Sequence, residues 1–187
     1  MVIIFSLNIN MNPLFCRVGS KRDMIKTIER YEPKGYSKYV EPFVGGGAVY
    51  WSKADLDIPK VINDTDKKLV KGYRLAKNGN IINTEKYNTT SIELQKQIYA
   101  NPPPDDTGQL TAILLEACNT FGSKGMNAPL YSNSNPYPKL KKIDEYQEAM
   151  KQTKILNEDY KTVIRENDGV NTFFFIDPPY LESSTGV

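Results

Sequence analysis

The tetrapeptide Asp177-Pro178-Pro179-Tyr180 has the residue types needed to bind a planar amino group. Asp177 offers a carboxylate that accepts hydrogen bonds, and Tyr180 adds an aromatic ring. The two prolines lack an N–H and have a fixed φ, so the loop is stiff and presents its carbonyl oxygens as acceptors. An acid, a rigid row of acceptors and a ring form a suitable receptor for the exocyclic amine of a nucleobase.

The apolar run Phe173-Phe174-Phe175-Ile176 predicts the strand that positions this tetrapeptide. Its length and its aromatic and β-branched residues are typical of a strand buried on both faces. Asp177 then lies just past the carboxyl end of that strand. Open α/β sheets bind their ligands at this end of the strands, so the location suits a functional site.

The glycine run Gly45-Gly46-Gly47 is the second candidate segment, between a predicted strand from Tyr39 to Val44 and a helix from about Ala48. Glycine permits φ > 0 and lets the backbone approach a ligand closely. Asp64 lies nineteen residues after Gly45 and follows the next predicted strand, residues 60–63. An acid at about this distance usually binds ribose hydroxyls. Taken by itself, the glycine run has an alternative interpretation, a tight turn that binds no ligand.

Composition narrows the choice of chemistry. The chain has 187 residues, enough for one α/β domain with a small insertion, and its net charge of +2 leaves nucleic-acid contacts to local patches. It contains no histidine and only two cysteines, which excludes a Ser-His-Asp triad, a Cys-His dyad and a zinc site. Its two cysteines, Cys16 and Cys118, without a signal sequence, indicate reduced thiols in an intracellular protein. The apolar segment at the start of the chain, Met1 to Asn10, is too short to span a bilayer.

Predicted strands alternate with predicted helices along the chain, which argues for a mostly parallel sheet. The strands are expected at residues 39–44, 60–63, 154–157 and 172–176, and the helices at about 21–31, 66–77, 91–100, 107–119 and 143–153.

A long polar loop at residues 121–142 interrupts this alternation. Between Ala117 and Ile143 the chain has no acid, and it has the four lysines Lys124, Lys139, Lys141 and Lys142. Aromatic residues interleave with these lysines at Phe121, Tyr131 and Tyr137. Basic residues mixed with aromatics suit phosphate contact and base stacking, so the lysines are candidate DNA-binding residues. A solvated surface loop with a basic rim is the alternative.

Taken together, these segments resemble the Dam-like class of adenine-specific DNA methyltransferases. The matching strings are Arg17-Val18-Gly19-Ser20-Lys21, Glu41-Pro42-Phe43-Val44-Gly45-Gly46-Gly47, Asn63-Asp64, Asn157-Glu158-Asp159-Tyr160 and Asp177-Pro178-Pro179-Tyr180. In this class the glycine motif precedes the catalytic motif and the target-recognition segment lies between them, as here. Asn119-Thr120-Phe121-Gly122 also resembles the stretch that opens the recognition region in relatives.

The resemblance implies a Rossmann-like S-adenosylmethionine-dependent methyltransferase fold, a mostly parallel sheet with a helical target-recognition insertion. Residues 11–77 would form the cofactor-binding part, residues 78–150 the insertion, and residues 151–187 the return to the core with the catalytic motif. Relatives continue past the position of Val187 with further strands, so we expect the C-terminal strands of the sheet to be missing.

The resemblance also implies an S-adenosylmethionine site. Lys21 would contact the cofactor, Asp64 would hold its ribose, and Asp159 would accept from the amino group of its adenine beside Tyr160. Glu41 would face the methionine amino group or fix the strand end. The implied cofactor-binding residues are Arg17, Lys21, Glu41, Phe43, Gly45, Gly47, Asp64, Asp159, Tyr160 and Asp177.

The implied activity is site-specific methylation of the exocyclic amine of adenine in double-stranded DNA, as in restriction-modification systems. Asp177 and the Pro178 carbonyl would accept the amine hydrogens, Pro179 would complete the rigid catalytic loop, and Tyr180 would stack on the base after it is flipped out of the duplex. Methyl transfer of this kind needs no metal.

Several alternatives stay open. The chain could be a non-catalytic cofactor- or DNA-binding remnant, or half of a split enzyme that pairs with a complementary C-terminal fragment. The same tetrapeptide could serve a methyltransferase acting on RNA, a protein amide or cytosine. A nicotinamide oxidoreductase is the weakest option, because Tyr50 stands where its glycine turn needs the last glycine.

Overall fold

The computed structural model of the protein describes residues 11–17, 19–119 and 135–179, and its centre is a four-stranded sheet. The strands are β1 (Lys38–Glu41), β2 (Lys60–Asn63), β3 (Thr153–Leu156) and β4 (Thr172–Phe174). They lie in the order β3-β2-β1-β4, and every pairing is parallel. This arrangement confirms the predicted α/β class and has the strand order of the first part of a Rossmann-like sheet.

Eight α-helices connect and cover the strands in the described part of the chain, with 3₁₀ turns at Arg22–Met24 and Thr84–Tyr87. The helices are α1 (Ile25–Tyr31), α2 (Ala48–Ser52), α3 (Lys67–Asn78), α4 (Ile92–Ala100), α5 (Asp106–Asn119), α6 (Tyr137–Leu140), α7 (Ile143–Ala149) and α8 (Tyr160–Asn167). None of the described helices is both long enough and apolar enough to cross a membrane.

Short polar side chains set where several helices begin. Asp66 caps α3 by accepting hydrogen bonds from the backbone N–H groups of Lys68 (2.9 Å) and Leu69 (3.1 Å). Asp159 caps α8 in the same way, and Ser91 caps α4. Each cap satisfies backbone donors that the first helical turn leaves without a partner, so the position of the strand-to-helix loops follows from these residues.

The chain crosses over at β1. It runs outward from β1 to β2 and β3, and then returns to place β4 on the other side of β1. Tyr39 in β1 accordingly lies opposite Lys60 of β2 on one side and Phe173 of β4 on the other. In open α/β sheets the ligand site lies at such a switch point, so the carboxyl ends of β1 and β4 are where a site is expected.

The two faces of the sheet contribute to different clusters, because side chains alternate along a strand. Tyr39 belongs to the larger core, which also contains Trp51, Tyr73, Leu110 and Ile143. Val40, the next residue, belongs to a smaller cluster with Val61, Leu156 and Val163 of α8. Residues of the predicted insertion, from α4 to α7, therefore share the larger core with the first part of the chain. The proposed division at residues 78 and 150 stays a prediction.

The prediction of a final strand buried on both faces was wrong. β4 ends at Phe174, the side chains of Phe173, Phe174 and Phe175 are only partly buried, and Ile176 is 51% exposed. In the described part of the chain β4 lies at an edge of the sheet, so it pairs with β1 alone and has fewer neighbours than a central strand. The run of apolar residues indicated the strand correctly but not its depth.

Candidate active site

A cleft of about 320 Å³ opens at the carboxyl ends of β1, β2 and β4. Its volume lies within the range of small-molecule sites. Arg17 and residues 19–21 form one wall, and the segments after the three strands form the rest. Of the residues predicted from the sequence, the cleft brings together Arg17, Lys21, Glu41, Phe43, Gly45, Gly47, Asp64, Asp177, Pro178 and Pro179.

The glycine turn forms the floor of this cleft and starts α2. Gly47 has a φ of 73°, donates its N–H to the Val44 carbonyl (2.7 Å) and accepts from the Trp51 N–H (2.8 Å). Sequence reasoning did not single out Gly46, yet a Cβ there would lie 2.6 Å from the carbonyl oxygen of Phe15. The middle glycine is therefore required by the close approach of the segment that leads to Arg17.

Asp64 connects the loop after β2 to the glycine turn. Its Oδ2 accepts the N–H of Gly45 at 3.0 Å, and its Oδ1 accepts the N–H of Asp66 at 3.0 Å. A carboxylate has about four lone-pair sites, so two remain for a ligand after these contacts. The backbone thus fixes the orientation of Asp64 while its side chain still lines the cleft.

Two asparagines that sequence reasoning quoted without a role hold the strand ends together. Asn63 is 1% exposed and donates its side-chain amide to the carbonyls of Pro42 (3.0 Å) and Glu158 (3.1 Å), while its Oδ1 accepts the Glu158 N–H (2.9 Å). Asn157 donates its side-chain amide to the Asp64 carbonyl at 2.7 Å. The signal in the sequence was a polar residue at the end of each apolar strand.

Lys21 and Asp177 form an ion pair across the cleft. The Nζ of Lys21 lies 2.6 Å from Oδ2 of Asp177 and donates to the Gly19 carbonyl at 3.0 Å. The sequence predicted that Lys21 contacts a cofactor and that Asp177 binds an amine, without predicting that the two side chains meet. The contact fixes the carboxylate of Asp177 against the wall formed by Arg17 and residues 19–21.

Glu41 is a buried acid at the end of β1, only 3% exposed. Burial raises its pKa, a hydrogen bond from the Tyr39 hydroxyl (2.7 Å) lowers it, and the nearby Asp177 carboxylate raises it again, so the pKa lies at about 8. The backbone N–H of Tyr50 also bonds to this carboxyl. Glu41 therefore carries a proton at neutral pH, and a cation bound in the cleft would displace it.

Arg17 joins the cleft wall to the start of α3. Its guanidinium forms an ion pair with Asp66, the residue that caps α3. Burial alone would raise the pKa of Asp66, but the hydrogen bond from Arg17 and the two capping N–H groups outweigh burial and lower it. Arg17 lines the cleft while its charge is compensated by Asp66.

The segment at Asp159 and Tyr160 lies beside the cleft and not within it. The ring of Tyr160 packs against that of Phe43, with 5.1 Å between centroids, and Phe43 lines the cleft. Asp159 is exposed, and its Oδ1 accepts the N–H of Lys161 at 2.9 Å to cap α8. Phe43 and Tyr160 thus extend one wall of the cleft towards Asp159.

Three of the four predicted DNA-binding lysines lie in the described part of the chain, and they differ in their surroundings. Lys141 and Lys142 are exposed, and Lys142 pairs with Glu145 at 3.5 Å. Lys139 does not point outward. Its Nζ contacts the Leu14 carbonyl and the sulfurs of Cys118 (3.3 Å) and Cys16 (3.7 Å), so it is engaged within the fold instead of being presented to phosphates.

Several predictions fall on residues that the structure does not describe. These concern Tyr180, Lys124, the aromatic residues Phe121 and Tyr131, the segment at residues 120–122 and most of the polar loop at residues 121–142.

Known proteins with similar sequences are DNA methyltransferases. A family model described as D12 class N6 adenine-specific DNA methyltransferase matches residues 18–104 and 106–186. The chain is 28% identical over 184 residues to "Type II methyltransferase M.CviBI" of Paramecium bursaria Chlorella virus NC1A, an alignment that covers 91% of this chain and 69% of the relative.

Two further relatives come from bacterial and phage sources. The chain is 26% identical over 198 residues to "Type II methyltransferase M1.LlaDCHI" of Lactococcus lactis subsp. cremoris, covering 94% of this chain and 68% of the relative. It is 28% identical over 189 residues to the "DNA N-6-adenine-methyltransferase" of Escherichia phage P1, covering 89% of this chain and 24% of the relative.

Proposed function

The chain belongs to the D12 class of N6 adenine-specific DNA methyltransferases, and from this premise we propose that its cleft binds S-adenosylmethionine and presents it to a flipped adenine. The observation that carries the proposal is the convergence of Lys21, Glu41 and Asp177 on one cleft. This cleft lies at the switch point of the sheet, above the glycine turn, where open α/β folds bind ligands.

The residues of the cleft fit this methyl donor. Glu41 offers a buried carboxyl for the ammonium of its methionine part, and Asp64 keeps lone pairs for its ribose hydroxyls. Gly45 and Gly47 leave the floor without side chains. We assign Phe43, with Tyr160 behind it, to the apolar wall for the adenine ring, and Asp159 to its amino group. Bound there, S-adenosylmethionine would supply a methyl group on a sulfonium that is already a good leaving group.

The protein's part in the chemistry is to prepare the amine of the target adenine. That nitrogen is a poor nucleophile, because its lone pair is delocalised into the ring. Oδ2 of Asp177 is bound by Lys21, so we assign Oδ1 and the Pro178 carbonyl to the two N–H bonds of the amine. Accepting both hydrogens localises the lone pair towards the methyl group. Alignment and charge placement of this kind are worth several kcal/mol, about 7–11 in well-oriented cases.

Lys21 is a positioning residue in this scheme. Its ammonium fixes the Asp177 carboxylate at 2.6 Å, and the Gly19 carbonyl at 3.0 Å fixes the ammonium in turn. The rigid Pro178-Pro179 backbone fixes the adjoining carbonyls. Both acceptors are therefore held in place before the base arrives, which lowers the entropy lost on reaching the reactive geometry.

A base inside a duplex cannot reach this cleft, so we propose that the target adenine is flipped out of double-stranded DNA, at a cost of a few kcal/mol. The exposed ammonium groups of Lys141 and Lys142 are suited to contact phosphates. The aromatic ring of Tyr180 is assigned to stacking on the flipped base, worth about 1–3 kcal/mol. A remnant that only binds, or half of a split enzyme that needs a complementary C-terminal fragment, is the second candidate.

The test is Asp177→Ala, assayed for labelled-methyl transfer to unmethylated duplex DNA and for cofactor binding by calorimetry. We expect transfer to be lost and cofactor binding to be largely retained, because we assign the Asp177 carboxylate chiefly to the amine, while Glu41, Asp64 and the glycine turn remain to hold the cofactor. The matched control is Asp168→Ala, which removes an exposed acid beyond α8 and should change neither property. Transfer that survives in Asp177→Ala, or equal loss of both properties, contradicts the division of roles.

A further inference from the structure

The two cysteines of the chain lie side by side, although 102 residues separate them in the sequence. The Sγ atoms of Cys16 and Cys118 are 3.0 Å apart, and both residues are in the reduced form. Cys16 is exposed at the end of the segment that precedes Arg17, and Cys118 lies in the last turn of α5. The two sulfurs therefore need only a small shift to reach bonding distance, since a disulfide measures about 2.05 Å.

A lysine makes this pair chemically asymmetric. The Nζ of Lys139 lies 3.3 Å from Sγ of Cys118 and 3.7 Å from Sγ of Cys16. The hydrogen bond between the two sulfurs lowers the pKa of Cys118, burial raises it, and the Lys139 charge lowers it further, to about 6. The pKa of Cys16 is raised by the same hydrogen bond and by burial. Because Lys139 lies closer to Cys118, Cys118 is the sulfur that is favoured as the thiolate.

We propose that Cys16 and Cys118 form a reactive dithiol that a small disulfide such as oxidised glutathione converts into an intramolecular disulfide. The surroundings supply the three things that this reaction needs: a thiolate stabilised by a cation, a second thiol within reach, and access from solvent, which is partial at Cys118 and greater at Cys16. Lys139, which the sequence suggested for phosphate contact, has this role instead because of where α6 places it.

The reaction balances as a thiol–disulfide exchange. The Cys118 thiolate attacks one sulfur of oxidised glutathione, forms a mixed disulfide and releases one glutathione thiolate. Cys16 then attacks Sγ of Cys118, the second glutathione leaves, and the proton of Cys16 passes to it. The two cysteines lose two electrons together, and oxidised glutathione is reduced to two molecules of glutathione.

The disulfide would link the segment beside the cleft covalently to helix α5. The residue after Cys16 is Arg17, which lines the cleft and pairs with Asp66, while Cys118 belongs to α5. A disulfide that closes a loop of about a hundred residues restricts the unfolded chain strongly, so oxidation should raise the thermal unfolding midpoint by at least about 5 °C.

The experiment treats the purified full chain with excess oxidised glutathione at pH 7 and locates modified cysteines by mass spectrometry after digestion. We expect one peptide pair linked through Cys16 and Cys118, reversal by dithiothreitol, and the higher unfolding midpoint in the oxidised protein. Stable glutathione adducts without the internal bond, only intermolecular disulfides, or an unchanged or lower midpoint would each overturn the proposal.

The Cys16→Ser variant separates the reactivity of the Cys118 thiol from effects on folding. In Cys16→Ser, which keeps a hydrogen-bond donor beside Cys118, glutathione should remain attached to Cys118. The pH profile of iodoacetamide alkylation in this variant should have its midpoint well below the ordinary value of about 8.5 for a thiol. Adding Lys139→Met to Cys16→Ser should move that midpoint upward. An alkylation midpoint near 8.5, or one that Lys139→Met leaves unchanged, contradicts the assigned thiolate.

Discussion

Replacing Glu41 by glutamine should abolish a proton release that accompanies cofactor binding. Glu41 is 3% exposed and its pKa is raised to about 8, mainly by burial and in part by Asp177, so the free protein holds a proton on this carboxyl at neutral pH. The ammonium of the methionine part of the cofactor would bind the charged form of Glu41. Binding should therefore expel the proton, and glutamine has none to lose.

The size of the release follows from the protonation states of the two groups involved. With a pKa of about 8, Glu41 is about 99% protonated at pH 6, where the α-amino group of the ligand is almost fully charged. Close to one proton should leave per ligand bound at pH 6. Because of this linkage, affinity should rise about tenfold from pH 6 to pH 7, a slope of one.

The assay is isothermal titration calorimetry with S-adenosylhomocysteine, which carries the same ammonium, in buffers that differ in ionisation enthalpy. The slope of observed enthalpy against buffer enthalpy counts the protons released. We expect about one for the unaltered chain and about zero for Glu41→Gln at pH 6. The matched control is Asp64→Asn, which removes a different cleft carboxyl and should keep the release while weakening affinity.

A release near zero in the unaltered chain, or the same release in Glu41→Gln, would refute the assignment of Glu41 to the ammonium.

Glu41 also affects how the stability of the ligand-free protein depends on pH. Because its pKa is raised on folding, its contribution to stability is full below about pH 4, the ordinary value, and is lost as pH rises through about 8. Glu41→Gln should consequently resist alkaline unfolding better than the unaltered chain.

Three further predictions concern binding and stability. Replacing Lys141 and Lys142 together by alanine should weaken DNA binding and reduce the salt slope of log K by about 2, since each lost phosphate contact removes about 0.9. Gly46→Ala should lower the free energy of unfolding by about 1–3 kcal/mol, because its Cβ would meet the Phe15 carbonyl at 2.6 Å. Asp66→Ala should lower it by about 1–2 kcal/mol through loss of the α3 cap. The stability lost in Asp66→Ala should become smaller at acid pH. Because folding lowers the pKa of Asp66, its contribution to stability is full above about pH 3.9 and is lost as the pH falls through the lowered pKa.

Two of these predictions have a matched control, and the third, for Asp66, is checked by its dependence on pH. Replacing Lys34 and Lys151 together by alanine removes the same charge from other exposed positions. DNA binding by this variant should keep a larger salt slope than DNA binding by the variant that lacks Lys141 and Lys142. Gly169→Ala should be nearly neutral in denaturant titration, because its Cβ has its nearest contact at 3.4 Å from the Thr172 hydroxyl. Equal salt slopes for the two lysine pairs, equal stability of the two glycine variants, or an Asp66 effect independent of pH would contradict these contacts.

The parts of the fold that sequence patterns predicted well are those set by local residues. The strand Lys60–Asn63 has the predicted bounds, and the glycine turn leads into α2 at Ala48 as expected. Both depend on nearby apolar runs and on glycine, which act within a few residues. The order of the motifs then placed Glu41, Asp64 and Asp177 at one end of a parallel sheet, because carboxyl ends of parallel strands meet there.

Contacts between distant segments could not be predicted in this way. The Lys21–Asp177 ion pair joins residues at opposite ends of the chain, and Asn63 meets Glu158 only because β2 and β3 are neighbours. The pKa of Glu41 depends on burial, which a sequence of strand residues does not specify. The orientation of Lys139 towards Cys16 and Cys118 depends on how α6 packs, and no pattern of basic and aromatic residues contains that information.

The most direct test of the central claim is methyl transfer by the chain itself. Purified protein, labelled S-adenosylmethionine and unmethylated duplex DNA are incubated, and the DNA is digested to nucleosides and analysed by mass spectrometry. The account predicts label in N6-methyladenine alone, lost in Asp177→Ala and retained in Asp168→Ala. Label in methylated cytosine, or bound S-adenosylmethionine with no label in DNA, would contradict it.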